Sequence, residues 1–135
     1  MREDARVGEQ ADRWQRHDWW GVVLDTDDVE TLTRFYAALR GWRIHHLDDT
    51  DGSLDPGTGV AYLNIQHNPA YVRPAWPTRT GQQQMMLHLD FEVTDLRSEV
   101  ARAVGLGAEL CEHQPQEEVR VLLDPAGHPF CLYVS

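Results

Sequence analysis

Two stretches of this chain, half its length apart, are written in the same way. Leu54-Asp55-Pro56-Gly57-Thr58-Gly59-Val60-Ala61-Tyr62-Leu63-Asn64-Ile65 is followed 69 residues later by Leu123-Asp124-Pro125-Ala126-Gly127-His128-Pro129-Phe130-Cys131-Leu132-Tyr133-Val134, in a sequence of 135 residues. In each, a tight Asp-Pro/Gly turn opens into an apolar strand. Self-similarity at half-length predicts two copies of one supersecondary unit. Neither copy is large enough to be an ordinary domain, so the two are expected to share one core and to enclose a space.

Composition narrows the partners. The hydrophobic fraction of 41% suits a globular protein, and no apolar run is long enough to span a bilayer. A formal net charge of −10 opposes binding to nucleic acid or to an anionic membrane, both of which need a basic surface. The same charge suits a cationic ligand, although acidic surfaces also simply keep proteins in solution. Residues 1–18 are polar and charged, unlike a secretory signal. Cys111 and Cys131 read as free thiols, and the chain as cytoplasmic.

Along the chain, 1–18 reads as an N-terminal arm, either a frayed helix or disordered, because it lacks a clean apolar face. A buried strand is expected at 19–24, then a turn in which Asp27 and Glu30 have capping-box spacing. The helix that follows places Val29, Leu32, Phe35, Tyr36 and Leu39 on one face, and Gly41 stops it. Strands are expected at 42–47 and 60–66, with an acidic turn at 48–55. Residues 68–84, rich in Pro, Gly and Gln, read as an irregular connector between module one (19–67) and module two (85–135). The order then restarts: a strand at 85–93, a helix capped by Thr94-Asp95 with Leu96, Val100, Ala103 and Val104 inward, and a stop at Gly105 and Gly107. Strands at 108–112, 119–123 and 129–134 complete it. The second half reads strand-helix-strand-strand-strand and the first strand-helix-strand-strand; taken as two copies of one unit they predict an α+β fold of two βαβββ modules within a single domain, 19–135.

The residues Leu87-His88-Leu89-Asp90-Phe91-Glu92-Val93, Leu106-Gly107-Ala108 and Asp124-Pro125-Ala126-Gly127-His128-Pro129-Phe130-Cys131-Leu132 carry a resemblance. So do Phe35-Tyr36 and Leu39-Arg40-Gly41-Trp42 in the first half. From Trp19 to Ser135 the chain resembles the vicinal-oxygen-chelate superfamily of glyoxalase I, extradiol dioxygenases and bleomycin- and fosfomycin-resistance proteins, and within it the glyoxalase-like domain proteins. The resemblance implies a mixed sheet curled into an open half-barrel around a cavity, helices outside, and a homodimer. It implies no single reaction, because one fold hosts many.

Strand alternation sorts the fifth strand: Leu87, Leu89, Phe91 and Val93 should meet the helix, and Met86, His88, Asp90 and Glu92 the cavity. Metal-using members of the superfamily draw one ligand each from strands one, four, five and eight. His88 holds the fifth-strand position, and Cys131 stands where the eighth strand usually has Glu. The first-strand position is Gly21, with Trp20 or Val22 one residue away. The fourth-strand position maps to Tyr62, with Asn64 and Gln66 as alternatives on the same face. The resemblance therefore implies a degenerate metal site. No resident cofactor is expected, and the alternative is a divalent metal held by His88, for which His88 and Cys131 alone are too few ligands. His45 and His46, adjacent on a strand, should face opposite ways and lie exposed.

The expectation is a binder of a small organic molecule. Trp20, Tyr62, Asn64, Gln66, Trp76, Asp90, Arg120, Cys131 and Tyr133 are the candidate ligand contacts, with Trp76 singled out because it sits in a loop. The alternative is a lyase or isomerase acting on a small oxygenated metabolite, with His88 and Glu92 as its acid–base pair.

Overall fold

The computed structural model describes residues 12–135, so the part of the arm before Asp12 lies outside the described residues. The chain forms two compact units that divide between Pro69 and Ala70. The first contains β1 (Trp20–Thr26), α1 (Val29–Arg40), β2 (Arg43–Leu47), β3 (Asp51–Asp55) and β4 (Ala61–His67). The second contains β5 (Leu89–Glu92), α2 (Leu96–Gly105), β6 (Glu109–Leu110), β7 (Val119–Leu123) and β8 (Pro129–Tyr133). Each is a βαβββ module with an open four-stranded mixed sheet, in the orders β1-β4-β3-β2 and β5-β8-β7-β6. In each, the first strand runs parallel to the fourth, and the remaining pairs are antiparallel.

In the first unit, α1 covers one face of its sheet. Asp28, not Asp27, is the N-cap: its carboxylate accepts from the Thr31 backbone N–H, one residue later than the capping-box spacing suggests. Val29, Leu32, Phe35, Tyr36 and Leu39 are all buried, as their spacing requires, against Leu24, Leu54, Leu63 and Ile65 of the sheet. Each such side chain contributes about 2 kcal/mol of burial. Gly41 ends the helix with φ 67°, a left-handed C-cap that a Cβ would strain. The segment read as an acidic turn contains β3, which pairs with both β2 and β4. Asp51-Gly52-Ser53-Leu54-Asp55 has poor strand propensity, and pairing on both sides overrides it. Arg13 and Trp14 of the arm pack against this unit, Arg13 on Asp55 and Trp14 on the rings of Trp19 and His45.

The second unit keeps the pattern with a thinner cover. Asp95 caps α2 through the Ser98 backbone N–H. Ala103 of α2 is buried, but Val104 is exposed, contrary to its expected inward place. Phe91, Leu122, Phe130 and Leu132 form the sheet's covered side. The fifth strand begins four residues later than expected, and Met86 and Leu87 are 86% and 62% exposed instead of lining cavity and helix. The physical reason is Pro129. Continuing the β5–β8 register would set His88 beside a residue that has no N–H to donate. The connector packs on this unit: Tyr71 Oη donates to the Ala126 carbonyl (2.7 Å), Arg73 Nη1 donates to the Pro125 carbonyl (3.0 Å), and Ala75 bridges Gln84.

The structural repeat differs from the written one. Leu24 pairs Ile65 as Phe91 pairs Leu132, and Asp28 caps α1 as Asp95 caps α2, so equivalent residues lie 67 apart, not 69. The Asp-Pro turns are displaced relative to their strands: Asp55 closes β3, whereas Asp124 follows β7.

Candidate functional site

Alternation leaves an uncovered face on each sheet, and most candidate residues fall there. In the second unit this face carries His88, Asp90, Val119, Val121 and Cys131. Asp90 and Cys131 are register partners, and Val121 pairs with Cys131 from the other side. His88 Nε2 lies 3.0 Å from Asp90 Oδ1. The ligating atoms of His88, Asp90 and Cys131 all lie within 4.8 Å of one another. Burial, then the charge and hydrogen bond of Asp90, push the Cys131 thiol up to about 11, so it is a protonated thiol at neutral pH. Asp90 thus sits between two partners, an imidazole and a thiol. The resemblance paired His88 with Cys131, and Asp90, expected on the same cavity face, joins them as the third member.

Beside this trio is a cavity of about 110 Å³, walled by Trp76, Met85, Val119, Val121 and Pro129, with His88, Gln116 and Cys131 as polar contributors. No carboxylate lines it: although the net charge suits a cationic ligand, this wall is mostly apolar, with a single indole. The Trp76 Nε1–H is buried and finds no acceptor among the described residues. Of the other candidates in this unit, Glu92 lies farther along β5, where it accepts from Ser135 Oγ (3.1 Å). Tyr133 pairs with Glu92 and Val119. Arg120 alternates to the other face, and its Nη1 donates to the carbonyls of Gln116, Glu117 and Val119, tying down the loop before β7.

The first unit has its own concavity, about 290 Å³, lined by Trp14, Trp19, His45, Tyr62 and Asn64, together with Ser53, Leu54 and Asp55. Asn64 Oδ1 accepts from Ser53 Oγ at 2.8 Å. Gln66 is bonded to Asp25 (2.7 Å) toward the sheet end. Trp20, 63% exposed, starts the helix-side row of β1; Trp19, one residue earlier, is the indole that lines the cavity. Alternation counted from Gly21 would have found it. His45 and His46 are both exposed. A register irregularity separates Ile44 from His46; His46 pairs with Asp48 (2.9 Å) and His45 joins the cavity wall.

By the 67-residue repeat, Gly21 is the counterpart of His88 and Asn64, not Tyr62, the counterpart of Cys131. A Cβ built on Gly21 would lie 2.3 Å from Tyr62 Cδ2 and 2.6 Å from its carbonyl oxygen. The Tyr62 ring fills the space a first-strand ligand would occupy.

A model of the glyoxalase-like domain matches residues 21–133. The chain belongs to the glyoxalase-like domain family. That places it in the vicinal-oxygen-chelate superfamily. Solved structures agree on the fold. A glyoxalase/bleomycin resistance protein/dioxygenase family enzyme from Burkholderia phytofirmans PsJN superposes with TM-score 0.65 at 19% identity, covering 84% of this chain and 95% of that one. The fosfomycin resistance protein FosX from Mesorhizobium loti gives 0.62 at 17% identity, covering 89% and 93%. A glyoxalase/bleomycin resistance protein from Albidiferax ferrireducens T118 gives 0.61 at 16%, covering 88% and 99%. No curated protein matches the chain in sequence. Among the described residues, no helix is long and apolar enough to cross a membrane.

The metal chemistry of this superfamily can be tested against the residues present. His, Asp and Cys are each zinc ligands, and in a tetrahedral site neighbouring donor atoms lie about 3–4 Å apart. The donor atoms of His88, Asp90 and Cys131, all within 4.8 Å of one another, are a group that could hold such an ion. The first unit's counterparts, Gly21 and Asn64, add no strong donor.

Proposed function

We propose that this protein binds a small, uncharged oxygenated molecule on the open face of the second sheet. The observation that supports this reading best is the mostly apolar cavity walled by Trp76, whose indole N–H is buried and has no acceptor among the described residues. A ligand oxygen placed there removes an unmet hydrogen bond, and His88 and Gln116 supply further polar contacts at the same wall. The space of about 110 Å³ is well below that of drug-sized sites, about 300–1,000 Å³, so it suits a fragment-sized group. The lack of a lining carboxylate favours such a group over an organic cation. The test is a thermal-shift screen of small carbonyl and hydroxyl compounds against cationic aromatics, followed by titration of the hits into Trp76→Phe. Oxygenated hits that weaken in Trp76→Phe support the reading; cationic hits indifferent to Trp76 sink it.

A second reading, a metal-assisted or acid–base enzyme, is favoured by the His88–Asp90–Cys131 trio. A divalent ion held there would polarise a substrate oxygen. Without one, Asp90 orients the His88 imidazole for proton transfer. Cobalt(II) titration discriminates: a thiolate-to-metal absorption band that disappears in Cys131→Ser supports the metal form, and no band above the buffer's argues against it.

A further inference from the structure

The first unit buries a cation whose hydrogen bonds are incomplete. Arg13 is 5% exposed. Its Nη2 donates to Asp55 Oδ2 at 2.8 Å, and its guanidinium carbon lies 4.5 Å from the Trp14 ring centroid and 5.6 Å from that of Trp19. Its Nε and Nη1 are buried and have no acceptor among the described residues. Arg43 Nη2 donates to the same Asp55 Oδ2 at 3.1 Å, and Asp55 Oδ1 accepts from the Gly57 N–H at 2.8 Å. The carboxylate is therefore committed to three donors, and two guanidiniums share one negative charge. Both arginines line one cavity of about 370 Å³, with Trp14, Gly41, Asp55, Pro56 and Gly57; the Asp55 carboxylate in that wall is the one already held by both guanidiniums. Unmet donors on a buried cation are costly, and the guanidinium fork is shaped for planar or tetrahedral oxyanions. With a formal net charge of −10, the chain has no general attraction for anions, so affinity here must come from this local pair.

We infer that the cavity between Arg13 and Arg43 binds a small oxyanion, a carboxylate or phosphate group, whose oxygens take the unmet Arg13 donors and the exposed guanidinium of Arg43. This site belongs to the first unit and does not depend on the reading of the second unit's cavity. Inorganic phosphate and acetate should be titrated separately into the full chain at neutral pH, with ionic strength held constant by potassium chloride. Melting temperature and the Trp14 indole N–H resonance are the readouts. A saturable response to phosphate assigns the phosphate class, and one to acetate the carboxylate class. Affinity should weaken at least tenfold in Arg43→Gln and in Arg13→Lys. Arg13 is buried and its variant risks misfolding, but Arg43 is 63% exposed, so Arg43→Gln keeps the test decisive. Neither anion acting beyond chloride, or affinity unchanged in Arg43→Gln, would overturn the inference.

Discussion

Replacing Asp55 by Asn tests the electrostatic anchor of the N-terminal segment directly. Burial alone would raise the Asp55 carboxyl, but hydrogen bonds from Arg13, the Gly57 N–H and Arg43 outweigh it and hold the group at about 2 instead of 3.8. That lowering corresponds to about 2 kcal/mol of native stability. A depressed carboxyl contributes fully above its unfolded-state value and loses its contribution as pH falls through its folded-state value. The window is therefore from 3.8 down to about 2. At neutral pH, Asp55→Asn also strands the buried Arg13 charge, which takes the expected loss to about 3 kcal/mol. Arg43, largely exposed, adds little. Urea unfolding followed by circular dichroism, run on both proteins across that pH range, measures both effects. The variant should be about 3 kcal/mol less stable at neutral pH, and the gap should narrow by about 2 kcal/mol across the acid window. A loss under about 1 kcal/mol at neutral pH, or a gap that stays flat into acid, would refute the reasoning.

Three further outcomes follow from other contacts. Gly41→Ala should cost about 1 kcal/mol in urea unfolding, purely from the left-handed backbone, because an added Cβ there meets nothing within 4 Å. In the folded protein, Cys131 should resist iodoacetamide at mildly alkaline pH and react on denaturation; its pKa, raised from 9.0 to about 11, leaves about a hundredfold less thiolate than an ordinary cysteine. Mass spectrometry of the alkylated peptide reads this, and rapid native labelling would contradict it. Leu132→Ala, at a fully buried position of β8, should cost about 3 kcal/mol, measured by the same urea titration.

The parts of the fold legible in the sequence are those written in local chemistry. The α1 face, the Gly41 stop, the Asp95 cap and strand β7 all follow from spacing and capping residues. What stayed hidden was set by partners. β3 is a strand because β2 and β4 flank it, not because Asp-Gly-Ser-Leu-Asp favours extension. Met86 and Leu87 look like strand residues but have no ladder to join. Arg13 and Trp14 carry no periodic signal, because they are held by one carboxylate and two rings.

The site shows the same division. The resemblance to the superfamily pointed to His88 at the fifth-strand ligand position and to Cys131 where the eighth strand usually has Glu. Asp90 was legible as a ligand contact on the same cavity face as His88; its closeness to Cys131 depends on the β5–β8 register, which sets the two side by side. The 69-residue echo of the Asp-Pro turns misled the comparison between units, because the turns are displaced relative to their strands while strand partners keep a 67-residue spacing.

That corrected spacing makes a sharper argument about the first unit. Gly21 is more than a missing ligand. Its lack of a Cβ lets the Tyr62 ring lie against β1, since even a methyl group there would meet ring and backbone inside 3.0 Å. Restoring a ligand by Gly21→His alone should therefore fail on packing, costing about 2 kcal/mol or more in urea unfolding. Combining Gly21→His with Tyr62→Ala removes the ring, though not the backbone oxygen at 2.6 Å, and should recover part of that loss. If Gly21→His alone proved as stable as the parent, Tyr62 would not be the occupant of that space, and the glycine at this position would need another cause.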